Sequence, residues 1–416
     1  MQNFFGFNIF LVSLFVFVLP LLFSIGLSSG LINIVLTTGL FKFDSLSFYL
    51  LLLVFFLGVL SLFSVVSCGL DLGTVVFLNS SLVFSGLCFC VNHSILFWCF
   101  YELSMLPLLY LIFRDSPYSE RFIAGWYFCV YLLITSLPLI LILLYLSYIN
   151  NSFYFSDWVP ETGYFFTYLL LSFIFFTKVP LCPFHTWLPI VHAEATSIVS
   201  IFLSGYIMKL GLLGVYRCSP FIFNSNMVIY LFLCCVVSVF FALTASGELD
   251  GKRWLAFLSL SHIVVPFLGF YVCSWEEVSL NFLFCLGHGL SAGLVFGFLW
   301  FFYESVNSRN WLLLKSGVVG KVSLLIVILG FLSLCSFPPT IQFFCEVFLL
   351  TQSTISYFYS MFWCFYLFLG GLVPLVLCGH LLIRSECIED SSYTVHNFLF
   401  YFFYLIFWCY LGVFFI

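Results

Sequence analysis

Four ionisable side chains sit in stretches that are otherwise apolar. Lys178 lies in FIFFTKVPLCPF and Lys209 in IFLSGYIMKLGLLGVY, while Glu102 lies in ILFWCFYELSMLPLLYLI and Glu346 in PPTIQFFCEVFLL. The chain has only 12 Lys and Arg and 17 Asp and Glu in 416 residues, so these placements stand out. A charge at mid-bilayer costs about 2.5–3.5 kcal/mol on insertion scales, and such residues mark ion or proton paths by default. A proton path needs groups that change protonation near neutral pH. Burial disfavours the charged form of amine and carboxyl alike, and a nearby opposite charge restores it. A Glu–Lys pair whose spacing changes can therefore take up or release a proton, and Glu102 with Lys178 is the natural pair. The plainer alternative is a static buried salt bridge, which is a poor route to stability. Lys209 has no obvious acidic partner and is expected to be the central proton acceptor. Its alternative is snorkelling to the interface.

Histidine titrates nearest neutral pH without help. His262 and His288 fall inside apolar spans between Lys209 and Glu346 in chain order, and both are expected to relay protons rather than merely pack. Pro266 lies four residues after His262 and is expected to free the His262 carbonyl and loosen that helix. His185, His192 and Glu194 flank a proline-rich stretch. They are expected either to line the proton intake from the basic side or to satisfy freed backbone groups there. Glu276, Glu277, Asp157, Glu161, Glu386, Glu389 and Asp390 fall in loops and read as solvated. Asp250 and Lys252 start a helix and read as its cap. A zinc site of Cys182, His185 and His192 matches no standard ligand spacing. The 17 cysteines show neither disulfide-framework spacing nor a CxxC pair; with the 60 Phe they fit codon bias in a T-rich genome.

The elements that must position these groups follow from composition. The chain is 64% hydrophobic and 7% charged, with apolar segments near the ~20 residues that cross hydrocarbon as a helix. It reads as an all-α polytopic membrane protein without a soluble domain. Net charge is −5 and no basic patch exists, so nucleic acid is excluded as a partner. The first basic residue is Lys42, so no presequence is expected. Thirteen spans are predicted, at about 4–27, 44–67, 74–92, 94–113, 121–149, 163–190, 196–217, 224–246, 253–273, 278–303, 318–350, 354–383 and 397–416. The stretch 28–43 carries Ser-Ser-Gly and Thr-Thr-Gly and reads as a loop or short strand pair.

Loop charges test this arrangement. Arg114, Arg121, Lys252, Arg253, Arg309, Lys315, Lys321 and Arg384 fall on one side and only Lys42 and Arg217 on the other. The positive-inside rule makes the first set the cytoplasmic or matrix face and sends the C-terminus to the opposite one. Two spans should break: 163–190 holds Pro180, Pro183 and Pro189, and 318–350 holds Pro338 and Pro339. Proline removes an amide donor and clashes with the preceding turn. Lys178 is expected at the first break and Glu346 at the second. Broken helices at matching places in two halves point to inverted repeats with ion sites between them. The expected division is N-terminal helices 1–73, a first repeat 74–217, a second repeat 224–383 and a C-terminal helix 397–416.

The run KVPLCPFHTWLPIVHAEATSIVSIFLSGYIMKLGLLGVYR, from Lys178 to Arg217, resembles the central signature of the subunit 4 family of NADH dehydrogenase, the antiporter-like proton-pumping subunits of respiratory complex I. LDGKRWLAFLSLSH ending at His262, GHGLSAGLVF around His288, FPPTIQFFCE up to Glu346 and FYELSMLP around Glu102 are similar to further family stretches. The His-Ala-Glu-Ala wording favours this family over subunits 2 and 5. The resemblance implies an antiporter-like fold of two inverted five-helix repeats with two discontinuous helices. It implies Glu102 and Lys178 as the half-channel pair, Lys209 as the central lysine, His262 and His288 as relays and Glu346 as the outlet. Flavin, iron–sulfur clusters and ubiquinone would belong to partner subunits. Partners would be the other membrane subunits, especially 2 and 5, supernumerary subunits and membrane lipid such as cardiolipin, in the mitochondrial inner membrane. Thr196 stands where the family has proline, so the link after the first broken helix is expected to differ, and the N-terminus reads as about one helix short. A free-standing monovalent cation/proton antiporter subunit, using nearly the same residues, and a structural subunit that no longer pumps are the rival readings.

Overall fold

A computed structural model describes residues 36–414, apart from 69, 160–163, 224–226, 275–276, 315–320, 355 and 384–391. The predicted span 4–27 lies outside the described residues, as do Glu161, Glu276, Lys315, Arg384, Glu386, Glu389 and Asp390. The chain is described from a two-stranded antiparallel hairpin, β1 (Leu36–Thr38) with β2 (Phe41–Phe43), pairing Leu36 with Phe43 and Thr38 with Phe41. The Thr-Thr-Gly signal thus marks a strand pair. Helices follow: α1 (Ser45–Cys68), α2 (Leu72–Cys90), α3 (Ser94–Asp115), α4 (Arg121–Ile149), α5 (Phe165–Lys178), α6 (Trp187–Glu194), α7 (Ser197–Cys218), α8 (Val228–Gly247), α9 (Gly251–Val272), α10 (Ser279–Val306), α11 (Lys321–Leu334), α12 (Ile341–Ser353), α13 (Tyr357–Leu382) and α14 (Ser392–Leu411).

Among the described residues, eight helices are long and apolar enough to cross a membrane, and four shorter apolar helices accompany them. Every predicted span from 44–67 onward has a helix or a pair of half-helices in its place. The predicted total of thirteen is not tested as a count: the span 4–27 lies outside the described residues, and the two proline-rich spans are each split into shorter helices.

Burial sorts the helices into a centre and a rim. The spanning window of α7 is 100% buried inside the protein, that of α10 94% and that of α9 78%, whereas the windows of α4, α2 and α8 are 28–39% buried. A helix that is apolar all round is buried or lipid-facing, and contacts with neighbouring helices decide which. α10 is the hub: it packs on α1, α7, α9, α12 and α14. α5 packs on α7, and α6 lies between α4 and α9.

Both proline-rich spans break. α5 ends at Lys178, residues 179–186 form turns around Pro180 and Pro183, and α6 resumes at Trp187. α11 ends at Leu334, and α12 begins at Ile341 after Pro338 and Pro339. Lys178 is the last residue before the first break, as expected. Glu346 departs from expectation: it lies inside α12, more than one turn beyond the second break. Proline cannot occupy the helix interior cheaply but is tolerated in a first turn, so the break falls at the proline pair and the helix restarts ahead of Glu346. The helix around His262 also differs. α9 runs through Pro266 without interruption among largely buried neighbours, although proline still offers the His262 carbonyl no amide.

Two π-helical turns were not legible in the sequence. One spans Cys129–Ile134 within α4 and the other Leu203–Ile207 within α7. Such single-turn π segments interrupt the regular i→i−4 ladder and recur at functional sites.

Candidate functional site: a buried polar line

Each π turn presents a carbonyl to a buried lysine. Lys178 is fully buried, and its Nζ donates to the Leu132 carbonyl at 2.8 Å. Lys209 is also fully buried, and its Nζ donates to the Ser204 carbonyl. A displaced ladder leaves carbonyls short of amide partners, and an ammonium in a dry interior needs acceptors; each feature satisfies the other. Neither lysine reaches lipid, so snorkelling is not how the cost of their burial is met.

Glu102 on α3 faces Lys178 across 3.6 Å, with the Tyr101 ring centroid 4.3 Å from Nζ. The separation is that of an ion pair and exceeds a direct hydrogen bond, so the ammonium is held chiefly by the Leu132 carbonyl. α5 and α7 approach closely at Gly211, where an added Cβ would run into Val179 and stand 3.5 Å from the Lys178 Cβ. Even so, no hydrogen bond joins Lys178 to Lys209 among the described residues.

From Lys209 onward the contacts are close. Lys209 Nζ lies 3.1 Å from His288 Nδ1. The His288 and His262 ring centroids are 5.5 Å apart. His262 Nδ1 meets the Tyr366 hydroxyl, and that hydroxyl donates to Glu346 Oε1 at 3.2 Å. Gln342 bridges the same pair, with Nε2 3.4 Å from His262 Nδ1 and 3.1 Å from Glu346 Oε1. Its amide orientation is fixed by Ser291, whose hydroxyl donates to Gln342 Oε1 at 3.3 Å. Ser336, in the second break, also hydrogen-bonds Glu346. His262, His288, Gln342 and Glu346 are all at most 3% exposed.

The arrangement can pass a proton. When His262 Nδ1 carries hydrogen it donates to the Tyr366 oxygen, and the phenolic hydrogen is directed at Glu346. When Nδ1 is bare it accepts from Tyr366 instead. Both hydrogen-bond patterns use the same atoms, which is the condition for relay through a hydroxyl.

The flanking candidates separate. His192 is completely buried and stacks on Phe296 of α10 at 5.1 Å. His185 is half-buried against Phe241, 4.6 Å between ring centroids, and does not join the line. Glu194 is buried and pairs with Arg309 at 3.4 Å, so it anchors the loop after α10. Cys182, His185 and His192 form no metal centre: among the described residues no three His, Cys, Asp or Glu stand close enough to share an ion.

Asp250 does cap α9, accepting from the Lys252 amide at 3.0 Å. Lys252 itself is not a loop charge. Its side chain turns inward, is 2% exposed, and donates to the Ala195 carbonyl at 2.7 Å. Sequence reasoning missed Gln342 and Tyr366 as members of the line. Gln342, four residues before Glu346, carried a signal, since i and i+4 share a helix face; Tyr366 carried none.

Charged groups gather at both ends of the bundle. Arg309, Asp250, Glu194 and Lys252 cluster at one end. At the other, Asp44 pairs with Arg217 at 3.1 Å and with Lys42 at 3.9 Å.

Residues 91–372 match the family described as NADH:quinone oxidoreductase/Mrp antiporter, transmembrane. The chain is 30% identical over 273 residues to the NADH-ubiquinone oxidoreductase chain 4 of Rhipicephalus sanguineus, covering 63% of this chain and 61% of that one. It is 30% identical over 277 residues to the chain of that name from Artemia franciscana, covering 65% and 70%. The matched part thus spans about three fifths of the Rhipicephalus relative's length. Among solved structures, a chain of respiratory complex I from Thermus thermophilus superposes with a TM-score of 0.71 at 20% identity, covering 88% of this chain and 82% of that one. A chain of the Mrp complex from a Dietzia species gives 0.71 at 16% identity, covering 92% and 74%. These likenesses carry the antiporter-like fold. With well over half of its length matched, the chain belongs to the NADH:quinone oxidoreductase/Mrp antiporter transmembrane family.

Proposed function

We propose that this chain is a proton-translocating membrane-arm subunit of NADH:ubiquinone oxidoreductase, driven by quinone reduction elsewhere in the complex. The observation that carries the reading is the run of buried polar groups from Lys209 through His288, His262 and Tyr366 to Glu346, hydrogen-bonded at each step except between the two imidazoles, which stand 5.5 Å apart. Buried polar groups in lipid surroundings are expensive, and a run of five such groups has no comparable structural use. One water between the facing imidazoles would complete it. The Glu102–Lys178 pair acts as the switch: as their separation changes, the field at Lys209 changes, and Lys209 loads or unloads. Glu346 is the outlet toward the face opposite the basic loops.

The same reading assigns the remaining features. The repeats are 74–217 and 224–383, inverted with respect to each other, each holding one broken helix. The loops at Arg114, Lys252 and Lys321 face the mitochondrial matrix, and the C-terminus faces the intermembrane space; the excess of Lys and Arg among the loops of that end over Lys42 and Arg217 at the other supports this. Partners are other complex I membrane subunits, with subunits 2 and 5 as the neighbours, together with supernumerary subunits and lipid. Redox cofactors reside in those partners.

Purification of the native complex tests the assignment. The expected result is copurification with an NADH-oxidising flavoprotein and NADH-driven acidification across the vesicle membrane. Copurification with membrane subunits alone, and sodium- or potassium-dependent proton exchange, would assign a free-standing cation/proton antiporter instead.

A further inference from the structure

Beyond Glu346 the polar line stops short of a surface. Ser353, the last residue of α12, is the next polar side chain on the buried face of that helix. It lies two turns past Glu346, about 10 Å along the axis, and Leu349, also buried, fills the turn between them. This stretch runs away from the basic loops. The Tyr359 ring, in the first turn of α13, stands 6.1 Å from the Tyr271 ring. Tyr271 is in the last turn of α9, at the opposite end from Lys252. Tyr357, where α13 begins, is 90% exposed, so that turn lies at a surface of the chain.

Trp363 closes the stretch. It is buried, and its indole Nε1 donates to Ser353 Oγ at 2.6 Å. The Ser353 hydroxyl donates in turn to the Leu350 carbonyl at 3.0 Å, so its hydrogen and one of its lone pairs are both engaged. An indole nitrogen is a donor only and cannot take a proton from the Glu346 side. The Trp363 ring stands at 89° to the Tyr366 ring, with centroids 5.5 Å apart, and the Tyr366 hydroxyl is the one that donates to Glu346. One turn nearer the surface, the buried Tyr359 hydroxyl has no hydrogen-bond partner among the described residues. Buried polar groups normally have one.

We propose that Trp363 and Ser353 form a gate on the outlet. With the indole on Ser353 the way out from Glu346 is shut; when the indole leaves, water joins Ser353 and Tyr359 to Glu346 and carries its proton to the face opposite the basic loops. The inference rests on the proton-pumping reading above. A path open at both ends conducts in either direction, so a pump needs one that shuts, and apolar constrictions shut by excluding water. The charge on Glu346 biases the gate. An ionised carboxylate holds the Tyr366 hydroxyl by a charge-assisted bond about twice as strong as a neutral one. Protonation weakens that hold, Tyr366 is freer to shift, and the indole packed against its ring shifts with it. The gate thus opens when Glu346 has a proton to release and closes when the carboxylate forms again. Only a proton moves: the acid O–H bond breaks, water accepts the proton, and Glu346 is left ionised.

The test uses the assembled complex in liposomes and reads two rates: NADH-driven proton transport, and passive proton flux down an imposed pH gradient without NADH. Parent and Lys209→Ala complexes come first. A parent that moves no protons with NADH, or a Lys209→Ala complex that pumps normally, refutes the underlying reading itself. With those controls passed, Ser353→Ala removes the acceptor and keeps the indole. Losing one neutral hydrogen bond shifts the gate by about fivefold, so passive flux should rise about fivefold over the parent. Trp363→Phe removes the donor and part of the plug and should leak at least as much. Trp363→Ala should leak most, with NADH oxidation retained and net transport lost. The leak must pass along the line, so adding Lys209→Ala to any of these variants should return passive flux to the parent level. Loosened packing would leave the double variant as leaky as the single one. Ser353→Ala and Trp363→Phe carry the test if Trp363→Ala does not assemble. Parent-level passive flux in both of those variants, or a leak that survives Lys209→Ala, overturns the gate.

Discussion

Tyr366→Phe isolates the relay hydroxyl. The Tyr366 ring packs against Phe362 and Trp363, with centroids 5.4 and 5.5 Å away, and the residue is 2% exposed. The substitution deletes one oxygen and leaves that packing in place. Glu346 loses the 3.2 Å hydrogen bond from Tyr366 but keeps the one from Gln342 at 3.1 Å and that from Ser336. A hydrogen bond to a charged group is worth about 1.5–3 kcal/mol and a neutral one about 1 kcal/mol, so the assembled complex should survive with a modest fall in melting temperature. Transport should not survive as well. Gln342 still bridges His262 and Glu346, but an amide nitrogen donates its hydrogens without passing a proton on. A positioned proton-transfer group contributes about 10²–10⁴-fold, so NADH-driven proton transport should fall at least about a hundredfold. Gln342→Leu is the complement: the hydroxyl route stays, and the loss of about 1 kcal/mol of hydrogen bonding predicts only about a fivefold effect. The assay is proton transport and NADH oxidation in liposomes, beside a thermal melt of each complex. Parent-level transport in Tyr366→Phe, or a larger loss in Gln342→Leu than in Tyr366→Phe, would refute the hydroxyl relay.

Lys209→Ala should abolish proton transport in an assembled complex, with NADH oxidation falling alongside if coupling is tight; near-normal transport would remove Lys209 from the path. Glu102→Gln should be more damaging than Glu102→Asp, because only the first leaves Lys178 without an anionic partner at 3.6 Å; equal transport in both would favour the static salt bridge. Gly211→Ala places a methyl against Val179 and the Lys178 stem, so it should cost about 1–3 kcal/mol by overpacking and lower the melting temperature more than Gly247→Ala, whose Cβ meets nothing within 4 Å. Asp44→Ala leaves Arg217, which is 9% exposed, without its carboxylate; breaking a buried pair from one side costs about 3–5 kcal/mol, and a thermal melt unchanged from the parent would contradict that.

The sequence by itself determined the membrane class, the helix positions and the residues worth watching. Charge is expensive in hydrocarbon, so Lys178, Lys209, Glu102 and Glu346 announce themselves against an apolar background. Proline cannot donate to the ladder, so both breaks could be placed, and Thr-Thr-Gly foretold the hairpin. What the sequence left open is rotational. Helices that are apolar on all sides carry no periodic signal to say which face meets protein and which meets lipid. Only packing around α10 turned His262, His288, Tyr366 and Gln342 toward one another and left His185 aside against Phe241. Only packing produced the π turns at 129–134 and 203–207, since the ladder shift and the lysine that satisfies it come from different positions in the chain. Lys252 misled for a related reason. A lysine at a helix start reads as a surface charge, and nothing local predicts that the Ala195 carbonyl, fifty-seven residues earlier, will draw it inside. The types of group that could move a proton were thus written in the chain, whereas their order along a path was decided by the fold.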